Sequence, residues 1–145
     1  MKSALHNRLP SLILGILFAL CSTWSMAEKV AVVVNTANTA SLDVSDIAKI
    51  YLGKIKNYPD GTTVLPLDQT AGTELRVYFL DKAVGKSEAQ MKAYWSRLIF
   101  TGKGVPPQIL KDDDEVKLTV SRNKDAMGFI DAASVDDTVK VIATF

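Results

Sequence analysis

The feature that most constrains the fold of this chain is a change of hydrophobic period between residues 29 and 67. Residues 29–34 form a short β-branched run that is apolar from Val30 onward, which is typical of a strand buried on both faces. Apolar residues then recur at helical spacing: Ile47, Ile50 and Tyr51. Gly53 ends this helix, and residues 62–67 return to extended structure. A strand, a helix and a second strand in this order predict an α/β domain with a right-handed connection.

A second helix is predicted after residue 70, and the clearest amphipathic helix follows it. That third helix begins at a capping box formed by Ser87 and Gln90. Its apolar residues recur at i, i+3, i+4, i+7 and i+8: Met91, Tyr94, Trp95, Leu98 and Ile99. A stripe at this spacing is more typical of core packing than of an aromatic ligand platform, so we expect Tyr94 and Trp95 to be packed.

The acidic run at residues 111–115 is compatible with two structures. Val116, Leu118 and Val120 alternate as in a strand, whereas carboxylates crowded into a first turn favour a helix because they interact with the helix dipole. We favour the helix. A calcium site is disfavoured, because the run has neither the alternate spacing nor the glycine of a calcium-binding loop.

Residues 1–27 have the three parts of a secretory signal. Two basic residues precede an apolar run at residues 12–20, and residues 25–27 form a small-x-small cleavage site. The apolar run is short for a membrane span, although an uncleaved anchor is the alternative. We therefore expect a soluble, exported, periplasmic protein that begins at Glu28.

The predicted signal also contains the two residue types on which thiol, zinc and His-based catalytic sites depend. The single Cys, Cys21, and the single His, His6, both lie within it. Disulfides, thiolate catalysis, zinc sites of the Cys/His kind and His-based triads are therefore excluded from the mature chain. Two of the 17 Lys and Arg lie in the signal, so 15 remain against 16 Asp and Glu, a net charge of −1. We expect no nucleic-acid partner, no metal, no cofactor and no catalysis.

The rest of the chain has the length of one domain. Two last strands are predicted at residues 128–131 and 139–143. The pattern predicts that residues 28–145 form a single α/β lobe of three layers, αβα, with a mixed, mostly parallel sheet of about five strands. Residues 102–104 lack the full spacing of a P-loop and follow no strand, so nucleotide binding is rejected.

The turn after the second strand is the strongest candidate for a ligand site. The backbone N–H groups of Ala71, Gly72 and Thr73 would converge at a helix N-terminus, where unpaired donors and the helix dipole favour an anion. The hydroxyls of Thr70 and Thr73 and the guanidinium of Arg76 stand within the same turn. The alternative is that Thr70 or Thr73 only caps a surface helix.

Residues 47–61 resemble the segment that opens the second lobe of periplasmic phosphate-binding proteins, the solute receptors of phosphate ABC transporters. In that family a helix, a Gly-Lys-Ile turn, an Asn-aromatic pair and an Asp lead through a strand to a Gly-Ser-Gly-Thr phosphate turn. Here residues 64–67 lead to residues 70–73, Thr-Ala-Gly-Thr, in the equivalent place. Residues 126–130 are similar to the family's Gly-Ala-Ile-Gly-Tyr-Val strand. The resemblance implies a periplasmic-binding-protein-like lobe with phosphate as its ligand.

The chain also departs from the family's pattern. With the shared Gly-Thr aligned, Leu67 takes the place of the family's Arg, and Ala71 takes that of its Ser. Gly72 and Thr73 are retained, and Arg76 could return a positive charge to the turn. The length suffices for one lobe only, so the family's first-lobe ligands have no counterpart.

Two functions are compatible with these observations. The first is an exported, non-catalytic solute-binding module for phosphate or a similar oxyanion. Its ligand set would be the turn, the cation and a loop hydroxyl: Thr70, Ala71, Gly72, Thr73, Arg76 and Ser41. The second is a protein-interaction or sensor-accessory lobe that has lost anion binding. The expected partner is an ABC permease or another membrane protein, and a homodimer would supply the missing second lobe.

We predict that the exported protein begins at Glu28, because the small residues at positions 25 and 27 form the cleavage site. Intact-mass spectrometry of the protein from the periplasmic fraction measures this directly. A mass that includes Cys21 would contradict cleavage and favour the uncleaved anchor.

Overall fold

The sheet organises the molecule. The computed structural model describes residues 29–145, so the predicted secretory signal lies outside the described residues. The strands in this range are β1 (Val30–Val34), β2 (Leu65–Gln69), β3 (Gln108–Leu110), β4 (Ala126–Asp131) and β5 (Lys140–Thr144). They form one five-stranded sheet in the order β3-β2-β4-β1-β5. The first strand therefore lies inside the sheet, and the short β3 forms one edge.

The sheet is mixed, as predicted, and its pairings divide evenly. β2 runs parallel to β3 and to β4, whereas β1 runs antiparallel to β4 and to β5. Parallel pairings are thus not the majority that the sequence pattern suggested. β1 and β2 run in opposite directions with β4 between them, so the right-handed parallel connection predicted from the sequence is corrected. The prediction inferred a parallel sheet from the burial of β1 on both faces. Helices cover both faces of the sheet, so β1 is buried whichever direction its neighbours run.

Within residues 29–145, four α-helices pack around the sheet. They are α1 (Val44–Tyr51), α2 (Glu74–Phe79), α3 (Glu88–Phe100) and α4 (Asp113–Arg122). α2 continues into a π-helical turn, Leu80–Val84. The capping box of Ser87 and Gln90 is present in both directions at the start of α3, as predicted. The acidic run begins a helix, also as predicted, with Asp112 as its N-cap. Within residues 29–145, none of these helices has the length and apolar character that crossing a membrane requires.

The helices lie on both faces of the sheet, which confirms the three-layer αβα arrangement. On one face, Val30, Val32 and Val34 of β1 pack with residues of α1, the π-helical turn and α3. On the other face, Ala31 and Val33 pack against α4. Because alternate residues of a strand point to opposite faces, the single run of β1 contributes to both cores.

The larger core is centred on aromatic rings that tie α1 and α2 to the sheet. Phe79 stacks on Phe129 of β4 with ring centroids 3.9 Å apart, and Tyr51 meets Phe79 edge-on at 4.8 Å. The Tyr51 hydroxyl donates a hydrogen bond of 2.9 Å to the carbonyl oxygen of Leu67. Packing and this bond together fix the end of β2, from which the candidate turn projects.

α4 lies unusually close to β4. A Cβ atom added at Gly128 would lie 2.5 Å from Cγ1 of Val116, so only glycine permits this approach. The close packing sets the position of the α4 N-terminus, where Asp113 faces the ends of β2 and β4 through hydrogen bonds to Gln69 and Asp131.

The apolar stripe of α3 is packed, as the sequence predicts. Met91 and Trp95 are buried, and the Tyr94 hydroxyl donates a hydrogen bond of 2.6 Å to the carbonyl oxygen of Leu52. Ile99, at the end of the stripe, is 54% exposed. The aromatic residues of α3 therefore serve the core and not a ligand platform.

Trp95→Ala is predicted to lower the free energy of unfolding by about 3 to 5 kcal/mol, because it removes a large buried side chain and leaves a cavity. Chemical denaturation followed by circular dichroism measures the change. Ile99→Ala, on the same helix but half exposed, is the matched control and should cost much less. Equal effects of the two substitutions would contradict the packing role of Trp95.

Candidate anion-binding site

The turn between β2 and α2 leads into a helix N-terminus, as predicted, and it contains the threonine cap that the alternative interpretation expected. Thr73 is the N-cap of α2: its hydroxyl oxygen accepts from the Arg76 N–H at 3.4 Å and donates to the Thr70 carbonyl at 3.0 Å. Gly72 adopts a φ of 83°, in the left-handed region that favours glycine. Within residues 29–145, no hydrogen-bond partner accepts from the N–H groups of Ala71 and Thr73.

Arg76 does not project freely into this turn. Its Nε and Nη2 donate to the two carboxylate oxygens of Asp68 at 2.9 and 2.8 Å, a bidentate pair. Its Nη1 donates to Oε1 of Glu88 at 2.6 Å. The hydrogen bonds that Arg76 donates to Asp68, followed by the one that it donates to Glu88, raise the pKa of its guanidinium above the ordinary value against the opposing effect of burial. Arg76 is thus held between two carboxylates and its charge is already compensated.

Glu88 brings a carboxylate into the turn itself. Oε1 of Glu88 accepts a 2.9 Å hydrogen bond from the Gly72 backbone N–H as well as the bond from Arg76. These donors lower the pKa of the Glu88 carboxyl below its ordinary value, with the Gly72 N–H as the largest cause and Arg76 as the next. Two of the donors that the sequence assigns to an anion, the Gly72 N–H and Arg76, therefore bind the side chain of the first residue of α3.

A second set of hydrogen bonds holds the strand end from which the turn projects. The Gln69 side-chain amide donates to Asp113 Oδ1 and to the Phe129 carbonyl, both at 2.8 Å. Asp113 Oδ2 in turn accepts from the Asp131 N–H at 3.0 Å. The ends of β2 and β4 and the start of α4 are thereby joined below the turn. The acidic run has a structural role here, and no group of three or more Asp, Glu, His or Cys suited to a metal ion occurs within residues 29–145.

The structure brings most of the predicted site residues together. Thr70, Ala71, Gly72, Thr73 and Arg76 share one turn, although the Thr70 hydroxyl donates away from it, to the carbonyl of Lys111 at 3.2 Å. Ser41 is exposed in the loop between β1 and α1, and it makes none of the hydrogen bonds that organise the turn among the described residues.

Three further residues determine the character of the site. Leu67 is fully buried in the core below the turn, so it brings no polar group to the site. Asp68 and Glu88, the carboxylates that bind Arg76, were not among the predicted site residues. Asp68 lies eight residues before Arg76 and Glu88 sixteen residues after Gly72, so neither pairing follows from the short-range spacing of a helix or a turn.

An open cavity adjoins this cluster. It has a volume of about 420 Å³, with Asp68, Arg76 and Glu88 at its polar end. Its walls are mainly apolar and come from α3, the segment before β3 and β3 itself: Met91, Trp95, Ile99, Pro106, Pro107 and Ile109. The cluster therefore forms one end of an apolar groove along α3.

Comparison with solved structures shows the fold. The chain is similar to an ABC-type phosphate transport receptor from Vibrio cholerae (TM-score 0.61, 24% identity), covering 79% of this chain and 45% of that one. It is similar to a candidate phosphate ABC transporter substrate-binding protein with bound phosphate from Clostridium perfringens (TM-score 0.64, 23% identity, 79% and 44% coverage). It is also similar to PstS from Borrelia burgdorferi (TM-score 0.59, 12% identity, 80% and 47% coverage).

These comparisons define the class of fold. The protein has the α/β fold of phosphate-transport receptors, as the sequence resemblance implied, and it spans less than half the length of each of the three. No protein-family model and no curated protein matches the chain.

Arg76→Leu is predicted to lower the free energy of unfolding by about 3 to 5 kcal/mol, because it leaves the buried carboxylate of Asp68 without its partner. Denaturant titration at neutral pH measures the loss. Arg122→Leu removes the same charge from an exposed position at the end of α4 and should change stability by no more than about 0.5 kcal/mol. A small effect of both substitutions would show that the Asp68–Arg76 pair contributes little to the fold.

Proposed function

We propose that this chain is an exported, non-catalytic module that binds phosphate or a similar oxyanion at the turn between β2 and α2. One observation carries the proposal: the Gly72 N–H and the Arg76 guanidinium already hold a carboxylate oxygen, that of Glu88. A turn that binds one oxyanion through a backbone donor and a cation has the chemistry to bind another.

The proposed binding mode uses charge-assisted hydrogen bonds and requires no reaction. The N–H groups of Ala71, Gly72 and Thr73 would bind the anion, with Arg76 beside them. A single lobe leaves the far side of the anion in water, where solvent competes for each bond. Asp68 and Glu88 further reduce the positive potential of the turn. We therefore expect weak binding, with a dissociation constant on the order of 0.1 to 10 mM.

The fold supports the same class of function. The similar structures are described as receptors or substrate-binding proteins of phosphate transport, and this chain retains the Gly72-Thr73 pair of the turn. We propose on this basis that it acts in the periplasm, with an ABC permease or another membrane protein as its partner. The similar receptors are longer than this chain, which matches 45% and 44% of their length.

A second candidate is a protein-interaction or sensor-accessory lobe that no longer binds anions. It is favoured by large apolar side chains that are exposed at the end of α3 and before and within β3: Ile99, Phe100, Val105 and Ile109. Two of them, Ile99 and Ile109, line the groove. Phe100 is 93% exposed, and large apolar side chains exposed close together in the chain often mark a protein contact. The Glu88 carboxylate in the turn is compatible with this candidate too.

Phosphate titration followed by ¹⁵N NMR separates the two candidates. At constant ionic strength, phosphate should shift the amide signals of Ala71, Gly72 and Thr73 and saturate in the millimolar range. Thr73→Val, which removes the cap hydroxyl at similar shape, should weaken binding by about 2- to 10-fold. Lys111→Ala removes an exposed cation outside the turn and is the matched control, which should bind as the native chain does.

The absence of any shift at tens of millimolar phosphate would contradict the proposal and leave the interaction lobe as the better function. Micromolar affinity in a monomer would contradict the argument from a single lobe. If such affinity occurred only in a dimer, the second subunit would be acting as the missing lobe.

A further inference from the structure

We infer that Glu88 is an internal ligand of the turn: its carboxylate occupies the anion position of the unliganded lobe, and an incoming anion must displace it. Glu88 thereby sets the affinity and the selectivity of the site. This inference rests on the proposed function and adds a residue from another helix to it.

The contacts of Glu88 are those of a bound anion. A single oxygen, Oε1, accepts from the Gly72 N–H at 2.9 Å and from Arg76 Nη1 at 2.6 Å. Within residues 29–145, no hydrogen bond engages the other oxygen, Oε2. The interaction therefore uses one oxygen of the carboxylate, in the place where the turn presents its donors.

The backbone of Glu88 is fixed independently of this contact. The Ser87–Gln90 capping box starts α3, and Met91 anchors the same helix in the core. The Glu88 side chain remains 29% exposed. It can therefore leave the turn by rotating into solvent, while α3 and its cap stay in place.

The net charge of the cluster explains why an incoming anion must displace Glu88. Asp68 and Glu88 carry two negative charges against the single positive charge of Arg76. An anion added to this closed cluster would face a net negative charge at short range. Once Glu88 has left, the anion faces the neutral Asp68–Arg76 pair and the freed Gly72 N–H. A dianion such as phosphate gains more from these donors than a monoanion does, so the internal carboxylate selects against weakly charged competitors.

The test compares phosphate affinity in the native chain, Glu88→Gln and Glu88→Ala at pH 7.5 and constant ionic strength. If the turn is closed for about 90 to 99% of the time, opening it raises the apparent affinity by about 10- to 100-fold. Glu88→Ala should show this gain. Glu88→Gln should show a smaller one, because its amide oxygen can still accept from Gly72.

Glu74→Gln is the matched control. It removes one negative charge from the first residue of α2, where the side chain is 92% exposed and contacts Lys29 and not the turn. Its affinity for phosphate should stay within about 2-fold of the native value, because exposed charges are screened. A gain equal to that of Glu88→Gln would attribute the effect to general charge and overturn the inference.

A second measurement uses formate as a stand-in for the missing carboxylate. Millimolar formate should raise the melting temperature of Glu88→Ala and leave that of the native chain unchanged, because only the variant has an open turn. Equal responses of the two proteins would contradict the internal-ligand role.

The outcomes for the inference and for the proposed function are distinct. If the native chain and both folded Glu88 variants bind phosphate equally at the turn, the inference is wrong and the proposed function stands. If none of the three binds phosphate at tens of millimolar, the proposed function fails. Should Glu88→Ala fail to fold, the comparison of Glu88→Gln with Glu74→Gln still decides the question.

Discussion

The bidentate pair between Asp68 and Arg76 is the interaction on which the candidate site depends. Asp68 lies near the end of a strand inside the sheet, where an isolated carboxylate would be strongly disfavoured, and Arg76 satisfies both of its oxygens. Because Arg76 also binds Glu88, the pair joins β2, α2 and α3 at one point. The turn is therefore shaped by a compensated charge and does not present a free cation to solvent.

Local sequence signals identified the helices well, because their determinants lie within a few residues of one another. The Ser87–Gln90 capping box and the acidic start of α4 are of this kind. Strand direction was harder to predict from the sequence, since β1 is buried on both faces whether its neighbours are parallel or antiparallel. The three residues of β3 follow two prolines and contain only two apolar side chains, too few for a recognisable period.

The site shows the same division between local and distant determinants. The cap at Thr73 and the left-handed Gly72 follow from the turn sequence itself. Glu88 reaches the turn only through tertiary structure, because the π-helical turn and the following cap bring the start of α3 back to it. Asp68 directly precedes the turn, but its pairing with Arg76 depends on how the end of β2 and the first turn of α2 meet. The sequence indicated which donors are present, whereas the fold determines that the Gly72 N–H and the Arg76 guanidinium already have acceptors. A motif match alone therefore overstates how open such a turn is.

The close approach of α4 to Gly128 couples the packing of α4 on the sheet to the position of the turn. No side chain separates Val116 from β4, so the spacing between these two layers is fixed by direct contact of helix and strand. Asp113, at the start of the same helix, holds Gln69 at the base of the turn. Any substitution that moved α4 away from the sheet would also move Asp113 and its hydrogen bond to Gln69. The geometry of the turn, and with it the proposed anion binding, thus depends on packing at a position outside the turn.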